Sequence, residues 1–192
     1  MAAQPTSLSL TVDEFLVWER ANQERHEYID GRISLMSCGV ADHSSLSVNI
    51  TSTLHALLRG GACRVYNSDM RVRLSATRYV YPDVSVSCDP RDRGQIEELQ
   101  SPCLIVEVLS PTTEAHDRGE KFGYYRACPS IQEYALVNVR RPEIELFRRA
   151  GAFWTLTTFG PEEAVELASL GVRVPLAEMY DGIELVGEET GA

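Results

Sequence analysis

The chain has 192 residues, of which 44% are hydrophobic, and its formal net charge at neutral pH is −10. This length and composition suit one globular domain, so we predict a single domain over residues 1–192. The acidic balance argues against a protein held on nucleic acid mainly by a broad basic face, but not against a nucleic-acid enzyme with a local basic patch and a metal site. No segment has the apolar length of a membrane span, and the N-terminus lacks the basic and apolar regions of a secretory signal.

The sequence contains an odd number of cysteines, five in all. No two of them are spaced closely enough for a C-x-x-C metal site. We therefore predict five free thiols in a reducing cytoplasm, where disulfides are rare. The residues are Cys38, Cys63, Cys88, Cys103 and Cys128.

The first predicted elements are a helix and a pair of strands. Residues 11–24 are expected to form the helix, because Thr11 and Glu14 make a T-x-x-E capping box at its start. The segment HEYIDGRISLM, residues 26–36, is typical of two strands joined by a turn at its Asp-Gly pair.

A second helix is predicted over residues 42–58, with Asp42 as its N-cap and a row of leucine and isoleucine side chains along one face. Short strands follow at residues 63–66, 70–74 and 79–87.

The second half of the chain begins with a charged, turn-rich segment, residues 88–102, which indicates a surface loop. A buried strand at residues 103–109 and a helix over residues 115–127 come next. Residues 131–159 alternate like an antiparallel meander, and the rest of the chain is expected to be short and irregular. Helices around a mostly central sheet make the predicted fold α/β or α+β.

Two carboxylates lie in strands that are otherwise apolar. Glu107 is in the middle of CLIVEVLSP, where burying it unpaired would cost several kcal/mol, by rough estimate. Asp83 follows Pro82, a residue that marks a bend or an edge in its strand. On neighbouring strands the two carboxylates would repel each other, and a divalent cation would remove the repulsion by taking their oxygens as ligands. A lone buried glutamate more often pairs with a basic side chain, but the second carboxylate favours a metal site.

Two interpretations of Lys121 stay open. It is four residues after Asp117 in a predicted helix, so the two could form a surface ion pair worth only about 0.3–0.5 kcal/mol. Alternatively, because this helix begins soon after the strand of Glu107, the lysine could point back at the carboxylates. An ammonium there could orient or activate a water and stabilise the charge that develops on a phosphate.

Several segments together resemble the Uma family of predicted endonucleases, part of the restriction-endonuclease-like PD-(D/E)XK superfamily. The resemblance covers roughly residues 8–159, which we take as the core of the domain. It implies a restriction-endonuclease-like fold, with a central mixed β-sheet flanked by helices and a C-terminal antiparallel meander. The segments are HEYIDG (26–31), the start of the second helix, YPDVSV (81–86), LIVEVLSPTTEAHDRGEKFGYYR (104–126) and EYALV (133–137).

The resemblance also implies the central site residues. Asp83 matches the aspartate of the PD motif and Glu107 matches the acid on the next strand, so both would hold the metal, with the carbonyl of Val108 as a further ligand. The simple superfamily pattern has its lysine two residues after the acid, but that position is Leu109. The resemblance implies that the lysine has moved to the following helix, at Lys121.

Two accessory residues follow from the same resemblance. Glu27 corresponds to an acid near the metal, and His43 matches a family histidine whose role the sequence does not define. Alone, the glutamate is uninformative and a single histidine is more often structural.

We therefore predict a cytoplasmic, Mg²⁺-dependent endonuclease, with Mn²⁺ as a substitute, that hydrolyses phosphodiester bonds of nucleic acid, most simply DNA. The resemblance makes a homodimer plausible, and no membrane association is expected. Two alternatives stay open: a non-catalytic module that binds nucleic acid or protein on the same scaffold, and a metal-dependent hydrolase of another substrate.

Overall fold

The structure is a computed structural model that describes residues 10–36, 40–94 and 96–183. A π-helical turn, Asp117–Lys121, joins the third helix to the fourth, so that the chain is helical from residue 114 to residue 127. The helices in the described ranges are α1 (Val12–Ala21), α2 (Ala41–Leu57), α3 (Glu114–His116), α4 (Phe122–Ala127) and α5 (Leu176–Met179), with a 3-10 turn at Pro90–Asp92.

The strands of the described residues form three sheets. They are β1 (His26–Ile29), β2 (Arg32–Leu35), β3 (Arg64–Asn67), β4 (Arg71–Ser75), β5 (Arg78–Val80), β6 (Val84–Ser87), β7 (Glu98–Leu99), β8 (Leu104–Leu109), β9 (Glu133–Asn138), β10 (Ile144–Ala150), β11 (Phe153–Phe159), β12 (Ala164–Leu167) and β13 (Val172–Pro175). The sheet orders are β2-β1-β5-β4-β7, β11-β10-β9-β8-β6-β3 and β12-β13.

The six-stranded sheet is mixed and carries the core on both faces. Strands β8 and β9 run parallel, whereas β9, β10 and β11 form the predicted antiparallel meander. Helix α2 packs Leu46, Ile50 and Leu54 against one face, and α4 packs Tyr125 against the other. All six residues of β8 are buried, which explains why its sequence is apolar without alternation.

The predicted start of the first helix is confirmed. The Glu14 backbone N–H donates to Thr11 Oγ1, and the Glu14 carboxylate accepts from the Thr11 N–H at 2.8 Å. The predicted turn between β1 and β2 is also confirmed, with positive φ angles of 49° at Asp30 and 92° at Gly31.

The prediction that Asp42 caps the second helix is wrong. The N-cap is Val40, which makes no capping hydrogen bond through its side chain. Asp42 lies inside the first turn, where its negative charge still suits the N-terminal end of the helix dipole.

The prediction that the chain is irregular after the meander is wrong for residues 164–179. Val165, Leu167 and Val174 extend from β12 and β13 into the core on the α2 face, together with Met179 of α5. Strands of four residues show little periodicity in sequence, and here tertiary packing decides their structure.

The prediction of five free thiols is also wrong, because Cys63 and Cys88 form a disulfide. Strands β3 and β6 are antiparallel neighbours in which Arg64 pairs with Ser87, so the residues just outside that pair meet. Cys103 and Cys128 are free thiols, and Cys38 lies outside the described residues. No helix in the described ranges combines the length and the hydropathy needed to cross a membrane.

Candidate active site

A cavity of about 380 Å³ opens at one end of the central sheet. All the side chains predicted for the site line it, although they come from five separate parts of the chain. Its ionisable wall consists mainly of four carboxylates and three basic groups: Glu27 of β1, Asp83 before β6, Glu107 of β8, Asp117 and Lys121 of the π-helical turn, His43 of α2 and His116 of α3.

The register of β6 against β8 brings the two strand carboxylates together. Val84 pairs with Val106, so Asp83 and Glu107 are the next residues along the same pair of strands. Asp83 Oδ2 accepts a 2.8 Å hydrogen bond from the Val108 backbone N–H. The preceding proline separates β5 from β6, as its position in the sequence indicates.

Glu107 is buried, with 5% of its surface exposed, and it contacts two side chains that are also buried, Tyr125 and Lys121. Its Oε1 accepts a 2.5 Å hydrogen bond from the Tyr125 hydroxyl and lies 2.9 Å from Lys121 Nζ. Burial raises the pKa of Glu107 to about 8, with the nearby charges of Asp83 and Asp117 adding to the effect and Lys121 opposing it. The glutamate therefore does have a basic partner, but that partner belongs to the same cavity.

The structure decides between the two interpretations of Lys121. Its Nζ lies 3.0 Å from Glu27 Oε1 and 2.9 Å from Glu107 Oε1, but 3.9 Å from Asp117 Oδ1. Lys121 and Asp117 are both buried, so the surface ion pair is wrong and the inward orientation is confirmed. Burial lowers the pKa of Lys121, but the carboxylates of Glu107, Glu27 and Asp117 outweigh it, and the net shift is upward.

The π-helical turn sets the direction of this lysine. A π turn holds one more residue than an α turn, which rotates the residues at its end relative to a regular helix, and such turns are frequent at functional sites. Lys121 is the last residue of the turn, and α4 starts directly after it. Sequence reasoning predicted a regular helix here and missed the turn.

One feature of the sequence marks Lys121 as unusual. It is the only lysine in the chain, and every other permanently cationic side chain is an arginine. Lysine carries a compact point charge, whereas arginine carries a broad planar one. The single lysine therefore lies where a compact charge can contact three carboxylates, those of Glu27, Glu107 and Asp117.

His43 acts on the other strand carboxylate. Its Nε2 lies 3.3 Å from Asp83 Oδ2. The hydrogen bond with Asp83 raises the pKa of His43 above its usual value; burial opposes this shift, and the charge of Glu107 and the Val108 backbone assist it. This histidine, whose role sequence analysis left undefined, thus holds the aspartate in place.

The charge balance of the cavity leaves room for a cation. Four carboxylates face one ammonium, that of Lys121, and two imidazoles, those of His43 and His116. Glu27 Oε1 is buried and, among the described residues, has no hydrogen-bond donor, although it lies 3.0 Å from Lys121 Nζ in an ion pair. An orphaned carboxylate oxygen beside a glutamate of raised pKa fits a bound cation, which would supply the missing positive charge.

The donor atoms in the cavity are mostly hard oxygens, which suit Mg²⁺. Within the described ranges, no three histidine, cysteine or acidic side chains already form a metal-binding cluster. A bound ion would therefore take few protein oxygens and several waters, as Mg²⁺ commonly does.

The comparison with protein families agrees with this geometry. The model of the Uma2 family, described as "Putative restriction endonuclease", matches residues 12–177. The chain belongs to the Uma2 family. The family prediction from sequence is thereby confirmed.

Two curated relatives come from Synechocystis sp. "Uncharacterized protein slr1290" is 40% identical over 176 residues, which cover 91% of this chain and 93% of the relative. "Uncharacterized protein sll1609" is 32% identical over 169 residues, which cover 85% of this chain and 95% of the relative. Both alignments cover most of this chain and most of the relative, so the relatives are of similar length.

A solved structure shares the fold. The crystal structure of "a putative nuclease belonging to DUF820" from Anabaena variabilis matches with a TM-score of 0.70 and 18% identity, covering 89% of this chain and 97% of that one. The predicted α+β, restriction-endonuclease-like fold, with a mixed sheet flanked by helices, is confirmed.

Two residues of the Uma2 cavity escaped sequence reasoning. Asp117 was considered only as the partner of a surface pair, yet it is buried and lines the cavity. Tyr125 was not considered, although its hydroxyl holds Glu107. Both residues stand in the helical segment after β8, where only the inward orientation of the π turn reveals their position.

Proposed function

We propose that this protein is a Mg²⁺-dependent nuclease that hydrolyses phosphodiester bonds of DNA. One observation carries the proposal: two strand carboxylates, Asp83 and Glu107, line the same cavity as the buried ammonium of Lys121. The description of the Uma2 family and that of the solved neighbour support the same class of reaction.

The metal would be held by Asp83 and Glu107, with the carbonyl of Val108 as a further ligand and Glu27 as an accessory one, directly or through water. When bound, Mg²⁺ or its substitute Mn²⁺ lowers the pKa of a water and stabilises the charge on a phosphodiester oxygen.

The chain's own residues would do the rest of the work. Lys121 carries three N–H donors and a fixed charge, so it can position a water and stabilise negative charge on the phosphate in the transition state. Tyr125 holds one oxygen of Glu107, and His43 holds Asp83. These contacts keep the carboxylates in place before substrate arrives, which preorganises the site.

The alternatives are less well supported. A module that only binds nucleic acid or protein gains nothing from a buried glutamate whose pKa is raised to about 8. A metal-dependent hydrolase of another substrate would use the same groups, so the choice of DNA rests on the family and on the test below. The single domain, the homodimer and the cytoplasmic location stay predictions.

The test is Mg²⁺-dependent cleavage of single- and double-stranded DNA, with RNA as a parallel substrate. We expect Lys121→Met to fold and bind Mn²⁺ like the wild type but to lose about 10²–10³ in rate, the usual cost of one preorganised charge. Arg126→Met is the matched control, because it removes one positive charge from an exposed position of the same helical segment.

The control variant should keep wild-type activity. Full cleavage by Lys121→Met would remove the lysine from the mechanism. A wild-type protein that cleaves none of these substrates at any Mg²⁺ concentration would contradict the proposed function itself.

A further inference from the structure

A second cavity, of about 350 Å³, lies at the opposite end of the central sheet. It is formed by the C-terminal end of α2, the start of β3 and the turn after Pro90–Asp92. Its ionisable lining, apart from a tyrosine and a disulfide-bonded cysteine, is entirely basic: His55, Arg59, Arg64 and Arg93. In a chain of net charge −10 this is a local reversal of sign.

Two of the three guanidinium groups are held by the backbone. Arg64 Nη1 donates 2.8 Å hydrogen bonds to the carbonyls of Gly61 and Cys63, and Arg93 donates to the carbonyl of Ala62. The disulfide of Cys63 fixes this loop to the end of β6. The arginines are therefore presented by a constrained loop.

Among the described residues, the arginines of this cavity form no ion pairs with acidic side chains. In the described parts of the chain, Arg59, Arg64 and Arg93 have no carboxylate within salt-bridge distance, whereas Arg118 and Arg148 do. Elsewhere near the loop, a buried aspartate at position 92 satisfies its carboxylate with donors at positions 87, 100 and 101. Three positive charges thus stay available to a ligand.

Helix α2 connects the two cavities. His43, in its first turn, lines the catalytic cavity, and His55, near its other end, lines the basic one. At about 1.5 Å per residue these positions are about 18 Å apart along the helix. No acidic residue occurs between Asp42 and Asp69, so no carboxylate of this segment repels a polyanion that spans the distance.

We propose that the basic cavity binds backbone phosphates of the same nucleic-acid strand whose scissile bond enters the catalytic cavity. This inference rests on the proposed function. The catalytic cavity carries an excess of carboxylates and repels a strand before metal binds, so attraction has to come from another part of the surface. With about 3.4 Å per phosphate of one strand, the two cavities are about five nucleotides apart.

The experiment measures binding of fluorescent oligonucleotides by anisotropy in EDTA, so that no activity is needed. One variant carries Arg59→Gln, Arg64→Gln and Arg93→Gln together. We expect its affinity to fall about tenfold or more, with the slope of log K against log salt shallower by roughly 2–3. The control variant removes three exposed arginines that line neither cavity, Arg126, Arg140 and Arg173, by the same change to glutamine.

The control variant should bind within about twofold of the wild type. The single variant Arg59→Gln guards against misfolding, since the Arg59 side chain makes no hydrogen bond to any described residue, and it should show an intermediate loss. The wild type should also bind short substrates more weakly. If a substrate extends fewer than about five nucleotides from the scissile bond toward the basic cavity, its phosphates cannot reach that cavity.

The outcomes separate this inference from the function on which it rests. Equal losses of affinity in both triple variants would contradict phosphate binding by the basic cavity. So would unchanged affinity in both variants while the wild type binds and cleaves. Neither result would contradict the proposed nuclease activity. Displacement of the oligonucleotide by submillimolar inorganic phosphate, at constant ionic strength, would identify a site for free anions and overturn the inference too. Absence of both binding and cleavage in the wild type would instead remove the proposed function.

Discussion

The two ends of strands β6 and β8 differ in composition: one end carries buried charges, and the other end carries cysteines. At one end, Asp83 and Glu107 enter a cavity with more carboxylates than cations. At the other end, Cys88 forms a disulfide, and the thiol of Cys103 lies 3.7 Å from its sulfur. At the first end the carboxylates outnumber the permanent positive charges that the chain supplies, of which Lys121 is the one in contact with Glu107. The second end is closed by a covalent bond.

This contrast explains how a small domain can tolerate a charged cavity. Buried like charges cost free energy, and the same two strands carry that cost and the cross-link that opposes unfolding. The buried like charges are thereby confined to the end of the strands at which we propose catalysis. Substitutions at the disulfide and at the carboxylates therefore test this contrast separately.

The largest effect on stability is expected at the disulfide. Cys88→Ser removes the bond, and it avoids leaving Cys88 free to pair with the nearby Cys103. With a sequence separation of 25 residues, the loss of the cross-link should cost about 3.5 kcal/mol on the chain-entropy model. Denaturant melts with and without reductant measure it.

The control for this prediction is the variant itself under reducing conditions. Reductant should destabilise the wild type and leave Cys88→Ser unchanged. If reductant has no effect on wild-type stability, the cysteine end is not closed by this bond in solution.

The next effect is expected at Glu107 and depends on pH. Because the folded-state pKa is raised to about 8, the folded protein binds this proton more tightly than the unfolded chain does. The stabilisation is complete below the unfolded pKa and is lost as pH rises through about 8. In EDTA, Glu107→Gln should match the wild type near pH 4 and exceed it by about 1–4 kcal/mol near pH 9.

Denaturant melts at the two pH values separate this outcome from a structural ion pair. If Glu107 serves mainly to neutralise Lys121, the same substitution should destabilise the protein by roughly 3–5 kcal/mol, since a buried partner charge would be stranded.

A smaller effect is expected from the hydroxyl of Tyr125. Tyr125→Phe removes a buried donor to Glu107 and should cost about 1.5–3 kcal/mol at a pH where the glutamate is charged. Because that hydrogen bond lowers the pKa of Glu107, its loss should move the titration of the glutamate to higher pH.

Tyr180→Phe is the matched control for this change. Tyr180 is also buried and donates to the Asn138 carbonyl, but it does not line the catalytic cavity. It should alter stability without moving the titration of Glu107. A titration that stays fixed in Tyr125→Phe would show that the tyrosine is merely packed against the site.

Local patterns in the sequence predicted much of the fold and the two strand carboxylates. Glu107 in an apolar run and Asp83 after a proline are visible without tertiary information, and adjacent strands then bring them together. The orientation of Lys121 was left undecided because it depends on a π turn that no local pattern announces. The disulfide was missed for a similar reason, since the register of β3 against β6 makes Cys63 and Cys88 neighbours.

We propose that the acidic end of β6 and β8 holds a divalent cation. Calorimetric titration of Mn²⁺ into the wild type, Asp83→Ala and Glu107→Ala tests it without any substrate. Glu120→Ala is the control, because it removes the same charge from a side chain that is 74% exposed. We predict binding to the wild type and the control, and at least tenfold weaker binding to both strand variants. Equal binding by all four proteins would show that Asp83 and Glu107 do not hold the cation.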